Sequence, residues 1–351
     1  MSELRVVVVG ATGNVGTSVV EALSADPEVG SIVGVARRLP EWTAPKTTWV
    51  AADIESDDLT GPFRDADVVI HLAWLFQPTH QPVTTWRANV LGGMRVFDAV
   101  AEARVPALVY ASSVGAYSPG PKDTPVTEDW PTHGWPQAAY TREKPYLERV
   151  LDAYDRAHPR IRVVRMRPGF IFKRESASEQ RRLFAGPLLP NLLVRPSTVP
   201  VIPDLPGLAF QALHTADAAE AYRLAAVKPV RGAFNIAADP VVDAGLLAEC
   251  LSARVVSAPA WPVRAALSAA WRLHLVPASP DLFDAVLRLP IMDTTRARTE
   301  LGWEPRHTSR AAIEEFLRGL REGAGLPTPP LAPRVDGGRL HELATGVGER
   351  P

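Results

Sequence analysis

Short continuous apolar runs recur along the first half of the chain. LRVVVVG (4–10), SIVGVA (31–36), TTWVAAD (47–53), DVVIHLA (67–73), ALVYASS (107–113) and IRVVRMRP (161–168) are rich in β-branched residues and mostly lack polar alternation. That is the pattern of strands covered on both faces. Between them, NVGTSVVEALSA and residues 83–104 and 138–157 return an apolar residue every three or four positions, which predicts amphipathic helices. Strand–helix alternation of this kind predicts an α/β fold with a doubly wound parallel sheet of the Rossmann type.

The texture changes after about residue 175. Six prolines fall within 187–206 (Pro187, Pro190, Pro196, Pro200, Pro203 and Pro206), too many for a regular helix or a central strand, so an irregular segment is expected. FQALHTADAAEAYRLAA then reads as a helix and GAFNIA (232–237) as a strand, and 243–324 reads as mostly helical. The expected organisation is a dinucleotide-binding domain (1–175 plus 209–238), a smaller, mostly helical C-terminal substrate domain (176–208 plus 239–325) and a loose, proline-containing tail (326–351). A cleft should lie between the two parts, at the carboxyl ends of the strands. No internal repeat is visible.

Composition narrows the function without naming it. The 351 residues are 46% hydrophobic and 22% charged with a net charge of −1, which gives no bulk electrostatic case for nucleic acid or an anionic membrane. The single cysteine, Cys250, excludes an internal disulfide framework, and none of the eight His has metal-ligand spacing, so no metal is expected. No apolar run is long enough to span a bilayer. The N-terminus, MSELRVVVVGATG, does not read as a signal peptide, so the cytoplasm is the expected compartment.

Two motifs carry candidate chemistry. The first strand runs into Gly10-Ala11-Thr12-Gly13-Asn14-Val15-Gly16 and a helix. Glycines there permit a tight turn and close approach of a pyrophosphate to the amides of a helix N-terminus. In the predicted helix 138–157, Tyr140 and Lys144 are four apart and share a face. An ammonium held beside a phenol stabilises the phenolate, so the Tyr140 pKa is expected to fall from about 10 toward working pH, where it can act as general acid or base.

Together Gly10–Gly16, Ser113, Tyr140 and Lys144 resemble an extended short-chain dehydrogenase/reductase of the NAD-dependent epimerase/dehydratase family. Further stretches fall in that family's order: AADI (51–54), HLAW (71–74), RANVLGG (87–93), VYASSVGAY (109–117), RMRPGF (165–170), LHTADAAEAY (213–222) and ARTELGWEPR (297–306). The resemblance implies catalysis by Ser113, Tyr140 and Lys144, with Ser112 the competitor for the serine role, and a homodimer built through helices 83–104 and 138–157. It implies cofactor contacts from Gly10, Thr12, Gly13, Asn14, Val15, Gly16, Asp53, Ile54, Leu72, Ala73, Asn89, Tyr140, Lys144 and Pro168. Where NAD-preferring members end the second strand in a carboxylate, this chain has Arg37 and Arg38. A guanidinium suits a 2′-phosphate, so NADP is expected, with NAD the runner-up.

The sequence also departs from that family. Pro145 follows Lys144 inside the helix, Phe172-Lys173-Arg174 replaces the usual Tyr-Gly-Pro, and Val114-Gly115 follows the serine where dehydratases carry Asp-Glu. The last departure argues against dehydration, which needs an extra acid and base. Substrate contacts are expected from Trp74, Phe76, Ser113, Phe170 and Arg182, with Trp130 and Trp135 as further wall candidates. Lys173, Arg174, Arg181 and Arg195 are further cations for a diphosphate or carboxylate. The apolar stretch 261–277 is expected to lid the cleft or to form a dimer contact.

The expected activity is an NADP(H)-dependent oxidoreductase working on a secondary alcohol or ketone. The alternatives are a nucleoside-diphosphate-sugar epimerase with tightly held cofactor, and a non-catalytic dinucleotide-sensing regulator. The partners expected are a small-molecule substrate and a second copy of the chain.

Overall fold

Valines in the first strand alternate between two cores. Val6 and Val8 face one apolar layer, with the helices Asn14–Ala25 and Thr215–Val227; Val7 and Val9 face the other, with Gly92–Glu102 and Ala139–Ala157. A strand buried on both sides has no polar face to show, hence the unbroken run in the sequence. The structure is a computed structural model that describes residues 3–187 and 198–334.

Among the described residues the central sheet has seven strands: Leu4–Val9, Val29–Ala36, Thr47–Ala51, Val68–His71, Ala107–Ala111, Arg162–Pro168 and Gly232–Ile236. Numbered by rank in the chain, their spatial order is 7-6-5-4-1-2-3, and every pairing is parallel. Val9 stands opposite Val35 and His71, and Ala111 opposite Met166. The carboxyl ends therefore form one ledge, and the connections that leave the first and fourth strands there run in opposite directions.

The stretch 83–104 forms one helical path with a wide turn inside it: Pro82–Trp86 and Gly92–Glu102 are α-helical and Arg87–Leu91 is a π-turn. Such bulges cluster at functional sites, and this one carries Asn89. Residues 210–214, read as the start of a helix, instead fall in and between the short strands Ala209–Phe210 and Ala212–His214. The helix begins at Thr215, where His214 Nδ1 accepts from the Ala216 amide and caps it.

Two expectations about irregular chain are corrected. Val201–Asp204 is a strand paired in parallel with Arg254–Ser257, because Pro203 on a two-stranded edge forfeits no inner ladder bond. Residues 188–197, with Pro190, Arg195 and Pro196, lie outside the described residues. Residues 326–334, the first part of the expected loose tail, are packed. Leu331 is fully buried, the Thr328 hydroxyl donates to the Thr12 carbonyl over 2.9 Å, and Arg182 donates to the carbonyls of Pro330 and Ala332. Residues 335–351 lie outside the described residues. No helix among the described residues is long and apolar enough to cross a membrane, and none of their His, Cys, Asp and Glu side chains form a group that could hold a metal ion.

Candidate active site

The glycine turn divides its work among its three glycines. Gly10 has φ +85°, and a Cβ there would stand 2.6 Å from the Ala73 amide nitrogen; a Cβ on Gly16 would stand 2.2 Å from the Gly10 carbonyl oxygen. These two let strand, helix and the 72–76 segment touch. A Cβ on Gly13 would meet only the Gly10 oxygen, at 3.6 Å, so its outer side opens into a cleft of about 670 Å³. No side chain caps the helix that starts at Asn14, leaving its first-turn amides for an anion. That open approach, beside amides without an internal partner, fits a dinucleotide pyrophosphate.

The rest of the expected cofactor set lines the same cleft. Thr12 and Val15 belong to the turn, Arg37 and Arg38 follow the second strand, and Asp53 and Ile54 follow the third. Leu72, Ala73 and Pro168 stand at two further strand ends, with Asn89 opposite.

At the inner end of the cleft Ser113, Tyr140 and Lys144 come together. Ser113 is buried at the end of its strand and its Oγ accepts from the Gly115 amide over 2.9 Å. Tyr140 lies in the first turn of Ala139–Ala157, its ring stacked on Phe76 at 5.1 Å and met edge-on by Trp74 at 5.6 Å. Lys144, one turn on, donates from Nζ to the Ala111 carbonyl over 2.6 Å and sits 3.5 Å above the Trp74 ring.

The electrostatics differ from the simple picture of a cation lowering a phenol. Burial pushes the Tyr140 pKa up to about 12, with the nearby Ser113 hydroxyl opposing it. The same burial holds Lys144 well below the ordinary lysine range, against the pull of Glu143 and Glu148. Desolvation disfavours both charged forms, and the ammonium is directed at a carbonyl and an indole face. By itself the protein presents Tyr140 protonated at neutral pH, as a proton donor.

Residues 6–237, more than half of the chain, match the NAD dependent epimerase/dehydratase family. The chain belongs to that family. An uncharacterized protein of Mycobacterium tuberculosis is 26% identical over 327 residues, covering 90% of this chain and 83% of that protein. Among solved structures, MoeE5 in complex with UDP-glucuronic acid and NAD is similar at a TM-score of 0.66 and 21% identity, covering 91% of this chain and 99% of its own. The Thermus thermophilus UDP-glucose 4-epimerase complex with NAD is similar at 0.65 and 19%, with coverages of 91% and 99%. At these identities the structural likeness speaks for the fold alone, a parallel sheet with flanking helices and a helical C-terminal region. Family membership makes the chain an NAD-dependent epimerase/dehydratase-type enzyme.

Of the expected substrate contacts, Trp74, Phe76, Ser113 and Phe170 line the cleft and Arg182 does not; its guanidinium is engaged by the carbonyls of 330 and 332 noted above. Of the other described cations expected there, Arg181 lines the cleft and Lys173 and Arg174 do not. Lys173 Nζ donates to the hydroxyls of Thr17 and Ser18, Arg174 pairs with Glu175 and Glu322, and Arg181 donates to the Gly186 carbonyl. Trp130 packs beside Tyr117 and Val114, and Trp135 lies under the Arg288 guanidinium, both away from the cleft lining. The helix Ala260–Arg272, from the stretch expected to be a lid, does not line the cleft; it meets Pro280–Val286 through Arg264 with Asp281 and Asp284, and the segment after Phe76 through Trp271, which stacks on His80 and donates to the Thr79 hydroxyl.

Asn89 lines the cleft, but its amide is occupied: Oδ1 accepts from the Leu75 amide, and Nδ2 donates to the Leu75 carbonyl and to Glu143. It clamps the segment that carries Trp74 and Phe76. Asn14 likewise bridges the turn to Ile171 and Thr215. Ser112, the rival for the serine role, gives its hydroxyl to Glu148 over 2.6 Å.

Two buried carboxylates on the helix Ala139–Ala157 escaped the sequence reading. Glu143 takes the Thr85 hydroxyl and Asn89. Glu148, with no exposure, takes Ser112, Arg165 and Arg167, and the two guanidinium groups hold its pKa down to about 2 against burial. Glu148 stands four residues after Lys144, so its spacing was a usable signal; its arginine partners on the Arg162–Pro168 strand were not visible locally.

Proposed function

We propose that this chain transfers hydride between a nicotinamide dinucleotide and a secondary alcohol or ketone, with NADP(H) as the preferred form. One observation carries the proposal: Ser113, Tyr140 and Lys144 meet at the inner end of the cleft that the Gly13 cradle opens. The dinucleotide, when bound, supplies or accepts the hydride. Ser113 orients the substrate oxygen. Tyr140, protonated at neutral pH, gives that oxygen its proton in reduction and retrieves it in oxidation. Lys144 is held through Ala111 and Trp74 one turn from Tyr140, and in its protonated form it stabilises the phenolate as it forms. Arg37 and Arg38 at the mouth support a 2′-phosphate.

A second reading, a nucleoside-diphosphate-sugar epimerase, is favoured by the UDP-sugar proteins among the structural neighbours. The two separate at 340 nm, where a reductase consumes added NADPH and an epimerase shows no net change. Tyr140→Phe is expected to lower kcat at least about 100-fold, the typical worth of a placed acid or base, with dinucleotide affinity retained. Undiminished turnover would overturn the assignment. A non-catalytic sensor would turn nothing over before or after the substitution. We also propose a homodimer formed through the helical path Pro82–Glu102 and the helix Ala139–Ala157, which expose Val83, Leu91 and Tyr146.

A further inference from the structure

We propose that the substrate end of this cleft takes an apolar ketone or secondary alcohol, an aliphatic or alicyclic body with one reacting oxygen, and not a nucleoside diphosphate sugar. This rests on the hydride-transfer reading above and names its substrate class. The wall begins at the reacting phenol. Phe76 stacks on Tyr140 with its ring tilted by 14°, and Phe184 meets Phe76 edge-on at 5.6 Å. Leu282, Val286 and Leu289 line the same cleft. All but Leu289 are only partly covered by protein, so they present carbon to whatever the cleft holds.

A diphosphate leaving water needs charge-assisted donors in return. Several described cations near this wall are engaged with protein groups. Lys122, next to this wall, gives its ammonium to the carbonyls of Ala209 and Val286. Arg288 pairs with Asp284 and covers the Trp135 ring. Arg174 and Arg182 hold Glu322 and the 330–332 carbonyls. Arg181 does line the cleft, but it is buried on Gly186, and Glu179 lines the cleft with it.

The test gives the purified full chain NADPH and a ladder of methyl ketones from 2-butanone to 2-undecanone, with dinucleotide binding measured separately by calorimetry. At about 0.8 kcal/mol per buried methylene, kcat/KM should rise roughly fourfold per carbon until the cleft is filled. UDP and UDP-glucose at millimolar concentration should neither compete with the ketone nor give binding heat on the NADPH complex. Val286→Lys should flatten the ladder and lower kcat/KM for 2-undecanone at least tenfold while leaving NADPH affinity unchanged. A flat ladder in the unmodified chain, or competition or binding by UDP, would overturn the substrate class while dinucleotide binding stands. Absence of binding by either dinucleotide would instead overturn the hydride-transfer reading.

Discussion

Arg37 and Glu148 show how differently two charged side chains can matter. Arg37 is exposed at the mouth of the cleft, so its worth lies in what it meets. Arg37→Asp is expected to leave stability within about 0.5 kcal/mol and to weaken NADPH binding at least tenfold relative to NADH, read by fluorescence titration. Unchanged NADPH affinity would mean that another group meets the 2′-phosphate. Glu148 is the opposite case, since it is the carboxylate shared by the Arg165 and Arg167 guanidinium groups. Its pKa lies at about 2 in the fold against an ordinary 4.5. A depressed carboxylate contributes stability above its unfolded value and loses it as pH falls through its folded one. Glu148→Gln should therefore destabilise by about 3 kcal/mol at pH 7. In denaturant unfolding, the gap from the parent should close as pH drops from 4.5 toward 2.

At the scale of the element, the helix Ala139–Ala157 keeps a proline in its second turn. Pro145 has no amide to give the Thr141 carbonyl, and an interior proline ordinarily costs about 3 kcal/mol. Here the neighbouring loop is shaped to that gap. Gly134, at φ +65°, lies so close that a Cβ on it would stand 1.8 Å from the Thr141 oxygen, and the Thr141 hydroxyl donates to the Trp135 carbonyl over 2.6 Å. The proline thus lets the 132–136 loop seat the turn that carries Tyr140. Gly134→Ala is expected to destabilise by more than about 1 kcal/mol, for its φ and for the collision. Because it displaces the first turn, it should lower kcat more than it raises the KM for dinucleotide; thermal melts and steady-state kinetics check both. In the sequence Pro145 reads only as a defect, because its compensation lies on a different segment.

For the molecule as a whole, the two helices of the proposed dimer face leave Leu91 48% and Tyr146 43% exposed, a patch suited to a two-fold contact. Sedimentation is expected to give twice the chain mass, and Leu91→Glu with Tyr146→Glu to give the monomer. All seven sheet strands, the glycine turn and the Ser113–Tyr140–Lys144 set could be read from the chain, since each is a local periodicity or a short motif at an element end. Three things could not: the partners of Arg174 and Arg182, the raised pKa of Tyr140, and the docking of 326–334 on the glycine turn. Each depends on which distant segments share a space and how much water they exclude. Sequence by itself determined the order of elements and the candidate reactive groups, because hydrogen bonding and apolar period act over a few residues. Tertiary structure alone decided which charges are already paired and which side chains line the cleft, because desolvation and ion pairing are properties of neighbours far apart in the chain.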